Sequence, residues 1–147
     1  MLTMVGVLLL CSCTDTVFHE YHDLDSDGWA VDDTVTFSLP KITRSGRLQG
    51  ELGVRAGRDY PFNTLPLCAT VERDGEQLST DTVVISLYRS SGEPTARGIL
   101  PYAVVTQKLP VLHVDSGHVY AIHVTHLVDS DRVEGIMSVG AKLSINN

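Results

Sequence analysis

The stretch from Leu65 to Tyr88, LPLCATVERDGEQLSTDTVVISLY, decides the fold class. Apolar and polar residues alternate on both sides of its middle, which is typical of half-buried β-strands. The dipeptide Asp74-Gly75 separates the two runs, and this pair is a strong signal for a two-residue hairpin turn. The stretch therefore predicts an antiparallel hairpin with Val83, Ile85 and Leu87 on one face.

The same alternation recurs along the rest of the chain, and no long stretch keeps a helical period. Further strands are predicted over residues 34–39, 48–56, 102–106, 109–114, 120–124 and 139–145. The pattern also allows single helical turns at Val17 to Leu24 and near Val133. Strands of this length and spacing predict one antiparallel β-sandwich of seven or eight strands, jelly-roll or immunoglobulin-like, over residues 29–147.

Length and charge narrow the class of protein. A chain of 147 residues with 43% hydrophobic residues fits one domain with a packed core, and a net charge of −7 argues against a nucleic-acid partner. Residues 1–40 contain seven acids and no Lys or Arg, whereas the remaining acids and bases balance. We therefore expect residues 13–28 to form a solvated acidic stem before the domain.

The N-terminus has the pattern of a targeting segment. Met1 to Leu10, MLTMVGVLLL, is mostly apolar but too short to span a bilayer, as in a signal peptide. Leu10-Cys11-Ser12-Cys13 looks like a bacterial lipobox, with Leu at −3 and a small residue at −1. We predict a cleaved signal peptide over residues 1–12 and a diacylglycerol-bearing, acylated Cys13. Cys11 is the alternative, but it would place Leu10 at −1.

Cysteine usage agrees with this interpretation. Once Cys11 is removed and Cys13 is lipidated, Cys68 remains without a partner for a disulfide. Because Cys68 lies in an apolar, strand-like run, we predict a buried and inert thiol.

Two acidic and histidine patterns raise the question of a metal site. Asp23-x-Asp25-x-Asp27-Gly28 begins like a calcium loop, but its twelfth position is Thr34 instead of the bidentate Glu. His118 and His126 share a side of a predicted strand but lie eight residues apart, while His123 faces the other side. His19 and His22 alone would form a weak site. No metal, cofactor or catalytic motif is predicted, and we expect no enzymatic activity.

The single tryptophan has two interpretations. Trp29 follows Gly28 immediately before the first predicted domain strand, where it is expected to pack over one end of the core. The alternative is an exposed aromatic platform that binds a glycan.

Several motifs occur together in this chain: Tyr21, Gly28-Trp29-x-x-Asp32, Phe37, Arg55, Asp59-Tyr60-Pro61-Phe62-Asn63-x-Leu65, Asp81-Thr82 and Gly135-Ile136-x-x-Val139-Gly140. With the lipobox, this set resembles the gliding-motility-associated lipoprotein family of Bacteroidetes, GldH. The resemblance covers most of the mature chain and departs from the family between about Ser90 and Pro110. It implies a cell-envelope lipoprotein of the gliding machinery with no catalytic residues to carry over.

The motif Asp59 to Asn63 also has a structural meaning of its own. Pro61 fixes its own backbone and favours an extended Tyr60, so that Tyr60 and Phe62 share a side and Asn63 can turn the chain. Arg55 and Asp59 are close enough in sequence to pair. We interpret the motif as a corner of the sandwich, with a partner-binding edge as the alternative.

Two functions follow as hypotheses. The first is a non-catalytic interaction or scaffold lipoprotein, which Cys13 anchors to the membrane and whose partners are envelope proteins of gliding or secretion machinery. Thr14 offers no aspartate-type signal for retention in the inner membrane, so we expect the outer membrane, facing the periplasm. The second is a glycan-binding module of a surface nutrient-capture system.

Overall fold

The computed structural model describes residues 15–89, 91–95 and 102–146, and these residues are all-β. They form β1 (Asp15–Asp23), β2 (Trp29–Ala30), β3 (Val35–Ser38), β4 (Gly46–Gly57), β5 (Thr64–Arg73), β6 (Glu76–Ser86), β7 (Tyr102–Lys108), β8 (Leu112–Val114), β9 (Tyr120–His126), β10 (Arg132–Val133) and β11 (Ile136–Asn146). The predicted antiparallel, all-β class is confirmed. Among these residues there is no apolar helix of the length that a bilayer crossing requires.

The strands form two main antiparallel sheets with the core between them. The first sheet has the order β1-β11-β4-β7, with β8 also paired to β4, and the second has the order β3-β9-β5-β6. A short ribbon of β2 and β10 lies beside them. The largest fully buried side chains come from both sheets and the ribbon, and include Trp29, Tyr120, Phe37 and Leu52. This arrangement confirms the sandwich.

The hairpin that decides the fold forms as predicted. β5 pairs with β6 in antiparallel register, and the turn residues Asp74 and Gly75 have φ values of 50° and 85°. Two consecutive positive φ values are the mark of a turn whose twist matches that of the strands. Val83, Ile85 and Leu87 are buried on one face.

Cys68 lies on the opposite face and is half-buried, so the prediction of a buried thiol is wrong.

The N-terminal segment differs most from expectation. Residues Asp15–Asp23 form an edge strand that pairs with β11, from Asp15 opposite Ile145 to Asp23 opposite Ser138. The helical turn at Val17 to Leu24 is therefore wrong, and so is the acidic stem over Asp15–Asp23. The backbone of this polar segment is held as a strand by hydrogen bonds to β11, and the local sequence gives no sign of that distant pairing. The second helical turn, near Val133, is also wrong, because Val133 belongs to β10.

The sandwich has two ends, which we name by one residue each. The Asp15 end contains Asp15, the β3–β4 loop (residues 39–45), the turn 115–118 and Asn146. The Tyr60 end contains residues 24–28, the corner 58–63 and the turn 134–135. β4 runs from the first end to the second.

Candidate functional site

An open cleft of about 1020 Å³ lies at the Tyr60 end, on the outer side of the first sheet. It is bounded by the chain that follows β1, the C-terminal part of β4, the first residue of β7 and the start of β11. Its charged and polar lining comprises Asp23, Asp25, Ser26, Arg55, Arg58, Asp59, Tyr102 and Ser138. Leu24, Ile136 and Met137 add apolar surface, and Met137 is about half exposed.

A stacked cation forms one wall of the cleft. The Arg55 Cζ atom lies 4.4 Å from the centre of the Tyr21 ring and 5.9 Å from that of Tyr102. A guanidinium over an aromatic face is attracted by the negative face of the ring. Burial raises the pKa of Tyr21, and the nearby Arg55 charge offsets only part of this rise. The hydroxyl therefore stays neutral beside the guanidinium.

Two glycines leave a flat, side-chain-free area of the sheet on which the Tyr21 ring packs. In the sheet register Tyr21 faces Gly140 of β11, and Gly140 faces Gly53 of β4. A Cβ atom added at Gly140 would stand 2.6 Å from three atoms of the Tyr21 ring. The aromatic ring therefore lies flat across the sheet only because both neighbours lack side chains.

The corner Asp59 to Asn63 lies next to the cleft, at the end of β4. Tyr60 is buried, its hydroxyl donates to the Thr64 carbonyl at 2.7 Å, and burial raises the pKa of Tyr60 to about 12. The Tyr60 and Phe62 rings meet edge to face at 5.6 Å, so the prediction that they share a side is confirmed. Phe62, unlike Tyr60, is about half exposed.

The turn at Gly135 packs directly on this corner. The Gly57 N–H donates to the Gly135 carbonyl at 2.7 Å, and a Cβ atom added at Gly135 would collide with the Tyr60 backbone. Gly135 also has a φ of 83°, which favours glycine. Three segments distant in sequence are thereby held against one another.

The expected ion pair between Arg55 and Asp59 is wrong. Among the ion pairs of the described residues none joins these two side chains, because Arg55 is stacked on Tyr21. The Asp59 carboxylate lies instead against Gly57. Both residues nevertheless line the cleft.

The cleft therefore collects residues that the sequence keeps far apart. Of the residues that carry the resemblance, Arg55 and Asp59 line it, Tyr21 stacks on Arg55, and Tyr60 lies behind it. Tyr102, Arg58 and Ser138 were missed by sequence reasoning, because only the sheet register places them there. Ser138 is fully buried, and its hydroxyl has no hydrogen-bond partner within the described part of the chain. The family-motif residues Pro61 and Asn63 lie in the exposed corner itself.

Trp29 lies inside this end of the sandwich. It is fully buried, and its indole N–H donates to the Asp33 carbonyl at 2.8 Å. The prediction that Trp29 packs over one end of the core is confirmed. An exposed tryptophan platform for a glycan is wrong, because no face of this ring reaches solvent.

A buried histidine contacts Trp29. His126 is 2% exposed, and its ring lies 5.3 Å from the Trp29 ring in an edge-to-face arrangement. Burial lowers the pKa of His126, and the backbone groups of Trp29 and Val128 offset only part of this decrease. The side chain is therefore held in its neutral form.

Two further histidines, His123 and His118, each contact a carboxylate. His123 is hydrogen-bonded to Thr36 at 2.9 Å, and its Nε2 atom lies 3.0 Å from a Glu72 carboxylate oxygen. These three residues are cross-strand neighbours on the second sheet, and none of them lines the cleft. His118 binds Asp74 at 2.5 Å at the Asp15 end. No group of three or more potential metal ligands occurs in the described ranges.

The predicted lipidation site, Cys13, and the signal peptide over residues 1–12 lie outside the described residues. So does part of the segment where the chain departs from the family pattern, including Arg97 and Gly98.

Comparison with known sequences identifies the family. The sequence model described as GldH lipoprotein matches residues 16–143, and the chain belongs to this family. The gliding motility lipoprotein GldH of Flavobacterium johnsoniae is 29% identical over 96 residues, which is 65% of this chain and 60% of that protein. The family is one of lipoproteins, its Flavobacterium johnsoniae relative is named for gliding motility, and the match spans about three fifths of that relative's length.

Comparison with solved structures gives three distant likenesses. The Eiger TNF structure from S. frugiperda has a TM-score of 0.43 at 10% identity and covers 88% of this chain and 90% of that one. CBM35 of Abf62 from Cellvibrio japonicus has a TM-score of 0.39 at 13% identity, over 83% and 74% of the two chains. Dimeric latent PorU from Porphyromonas gingivalis has a TM-score of 0.38 at 12% identity, over 96% and 14%. At these scores none of them carries an inference about function.

Proposed function

We propose that this GldH-family lipoprotein is a non-catalytic adaptor of gliding or secretion machinery, anchored by lipid on Cys13. It is held at the outer membrane, facing the periplasm, and the cleft at the Tyr60 end binds a segment of another envelope protein. The observation that carries this proposal is that Arg55 and Asp59 line one open cleft, in which Tyr21 holds the Arg55 guanidinium by stacking.

The chemistry of the cleft suits an extended protein segment. Arg55 and Arg58 offer donors for carboxylates and carbonyls, and Asp23, Asp25 and Asp59 offer acceptors for basic side chains and backbone amides. Since Tyr21 and Tyr102 hold Arg55 in place before binding, less side-chain entropy is lost when a partner arrives. Stacked Arg and Tyr residues are also the types enriched at interface hot spots.

The surroundings supply further contact area. Met137 in the cleft and Phe62 on the adjoining corner are each about half exposed. Aromatic and methionine side chains are enriched at interfaces because they bury large apolar area. The described lining of the cleft contains neither His nor Cys, the usual base and nucleophile. This composition favours binding over catalysis.

The test is site-specific photocrosslinking in native cells. A photoreactive residue at Met137 should capture one defined envelope protein, and the same residue at Val84 should not. Val84 is a matched control, because it is also exposed, at 44% against 47%, but lies on the edge strand of the second sheet. Arg55→Gln should remove the Met137 adduct. Equal adducts from both positions, or a Met137 adduct that survives Arg55→Gln, would contradict the proposal.

A further inference from the structure

The Asp15 end lies close to the predicted anchor, and this inference rests on the lipid attachment in the proposed function. β1 begins at Asp15, two residues after Cys13. Two extended residues span at most about 7 Å. Because the strand replaces the expected stem, the domain cannot stand far from the headgroups to which Cys13 is attached.

Two loops form a continuous surface at this end. The Ile42 N–H donates to the His118 carbonyl at 3.0 Å, and the Gly117 N–H donates to the Ile42 carbonyl at 2.7 Å. The Ser116 N–H donates to the Ser45 hydroxyl at 2.8 Å. The β3–β4 loop and the turn 115–118 are therefore joined, and both lie beside the start of β1.

Basic side chains project from this surface. Arg44 donates to the carbonyl of Ile145, which lies opposite Asp15 in the sheet, at 3.2 Å. Arg47 lies opposite Asn146 on the next strand, and Lys41 is exposed in the β3–β4 loop. Within the described ranges, no ion pair engages Lys41 or Arg47.

Two of the acids at the same end, Asp74 and Asp115, already have partners. Asp74 binds His118 and accepts from the Val119 N–H, and these hydrogen bonds lower the pKa of Asp74. Asp115 lies 3.6 Å from Arg73, and Glu76 is the cross-strand neighbour of Arg73. Among the described side chains, Lys41 and Arg47 are therefore exposed basic groups at the Asp15 end that no acid engages in an ion pair.

The acidic residues of the N-terminal region lie at the other end. β1 advances about 3.3 Å per residue, so that Asp23 lies about 26 Å from Asp15. Asp25, Asp27 and Asp32 follow beyond it in sequence. Anionic lipids attract Lys and Arg and repel carboxylates, and both effects favour the same orientation.

We infer that the Asp15 end is a membrane-contact surface on which Lys41 and Arg47 meet the phosphates of anionic lipid headgroups. The cleft at the Tyr60 end is then directed away from the bilayer. In this arrangement the short link to Cys13 and the charge distribution orient the domain together.

The experiment uses the full lipidated chain, with Cys68→Ser, reconstituted into phosphatidylcholine vesicles with and without phosphatidylglycerol. A fluorophore is attached at Thr43→Cys or at Asp131→Cys, and nitroxide headgroup lipids are the quencher. Thr43 lies at the Asp15 end and Asp131 at the Tyr60 end, and both are exposed. We expect quenching at position 43 only, and stronger quenching in the anionic vesicles.

Charge reversal gives the matched comparison. Arg47→Glu should remove most of the excess quenching that position 43 shows in anionic over neutral vesicles, since each basic residue contributes about a fivefold factor in the affinity for anionic lipid. Arg89→Glu, an equal charge change at an exposed residue of the Tyr60 end that does not line the cleft, should leave the ratio unchanged. Equal quenching at both positions, or no effect of Arg47→Glu, overturns the inference. Protein that does not float with the vesicles overturns the anchor as well, which distinguishes the two failures.

Discussion

The glycines at the two ends of the sandwich serve different purposes. At the Asp15 end, Gly75 and Gly117 have positive φ values, but an added Cβ atom would meet nothing within 4 Å. At the Tyr60 end, a Cβ atom at Gly28, Gly57 or Gly135 would meet a neighbouring atom at close range. Gly46 is the exception at the Asp15 end, because a Cβ atom there would stand 2.7 Å from the Asn146 carbonyl oxygen. Among the turn glycines, Gly135 packs on a distant segment, whereas Gly75 and Gly117 stand in open space. A change at Gly135 should therefore cost more than one at Gly75 or Gly117.

The sharpest test of this difference compares two glycines with nearly equal φ. Gly135→Ala should lower the free energy of unfolding by about 4 kcal/mol, because backbone strain and a collision with Tyr60 add. Gly117→Ala, at a φ of 86° in open space, should cost only about 1 kcal/mol. Urea unfolding of both variants measures the difference. Equal costs would show that the Tyr60 end is not the more tightly packed one.

The next largest loss of stability is expected at Gly140, which packs under the Tyr21 ring. Gly140→Ala should lower the free energy of unfolding by about 2 kcal/mol, because the new methyl group must displace the Tyr21 ring. The displacement also removes one face of the Arg55 stack, so the Met137 crosslink should weaken. A Gly140→Ala protein that is stable and still crosslinks would contradict the role assigned to this stack. Chemical denaturation and crosslinking in the same variant provide the two readouts.

The pH dependence of the free energy of unfolding tests the role of the buried His126. Because burial lowers the folded-state pKa of His126 below its unfolded value near 6.5, the unfolded chain binds more protons in acid. The contribution of His126 is fully present above pH 6.5 and is lost as the pH falls through the folded-state pKa, by about 1.4 kcal/mol for each unit of difference. His126→Leu should flatten this slope between pH 5 and pH 7. An unchanged slope would place the proton-sensitive group elsewhere.

Tyr60→Phe tests the smallest of these effects. Loss of the hydroxyl that donates to Thr64 should cost about 1 kcal/mol at neutral pH. Because the folded-state pKa of Tyr60 is raised to about 12, its contribution is complete below pH 10 and is lost as the pH rises through 12. The variant should therefore lose less stability than the wild type in alkali. Urea unfolding of both proteins at pH 8 and pH 11 measures the difference. An equal decrease in the free energy of unfolding for the wild type and Tyr60→Phe would contradict the assignment.

The sequence predicts the second sheet better than the first. The β5–β6 hairpin follows from local alternation and one turn dipeptide, so no distant contact is needed to recognise it. β1 could not be recognised in the same way, because Phe18 is the one buried side chain among those described for this strand, and its hydrogen bonds come from β11, more than a hundred residues later. Local sequence therefore suggested a helical turn and a stem.

The same limit applies to the candidate site. The local sequence identifies Tyr60, Phe62 and Trp29, because Pro61 sets the backbone that places Tyr60 and Phe62 on one side and Trp29 stands immediately before the first predicted domain strand. The stacking of Arg55 between Tyr21 and Tyr102 depends on the register of four strands. Such a cross-strand contact leaves no signal in spacing, so a local ion pair with Asp59 was expected instead.

Which end of the sandwich faces the membrane depends on where the lipid is attached, so the most direct measurement is the intact mass of the mature protein purified from membranes. We predict a chain that begins at Cys13 and carries the added mass of diacylglycerol and an amide-linked acyl chain. A mature chain with an unmodified amino terminus, or one that retains residues 1–12, would contradict the anchor and the orientation built on it.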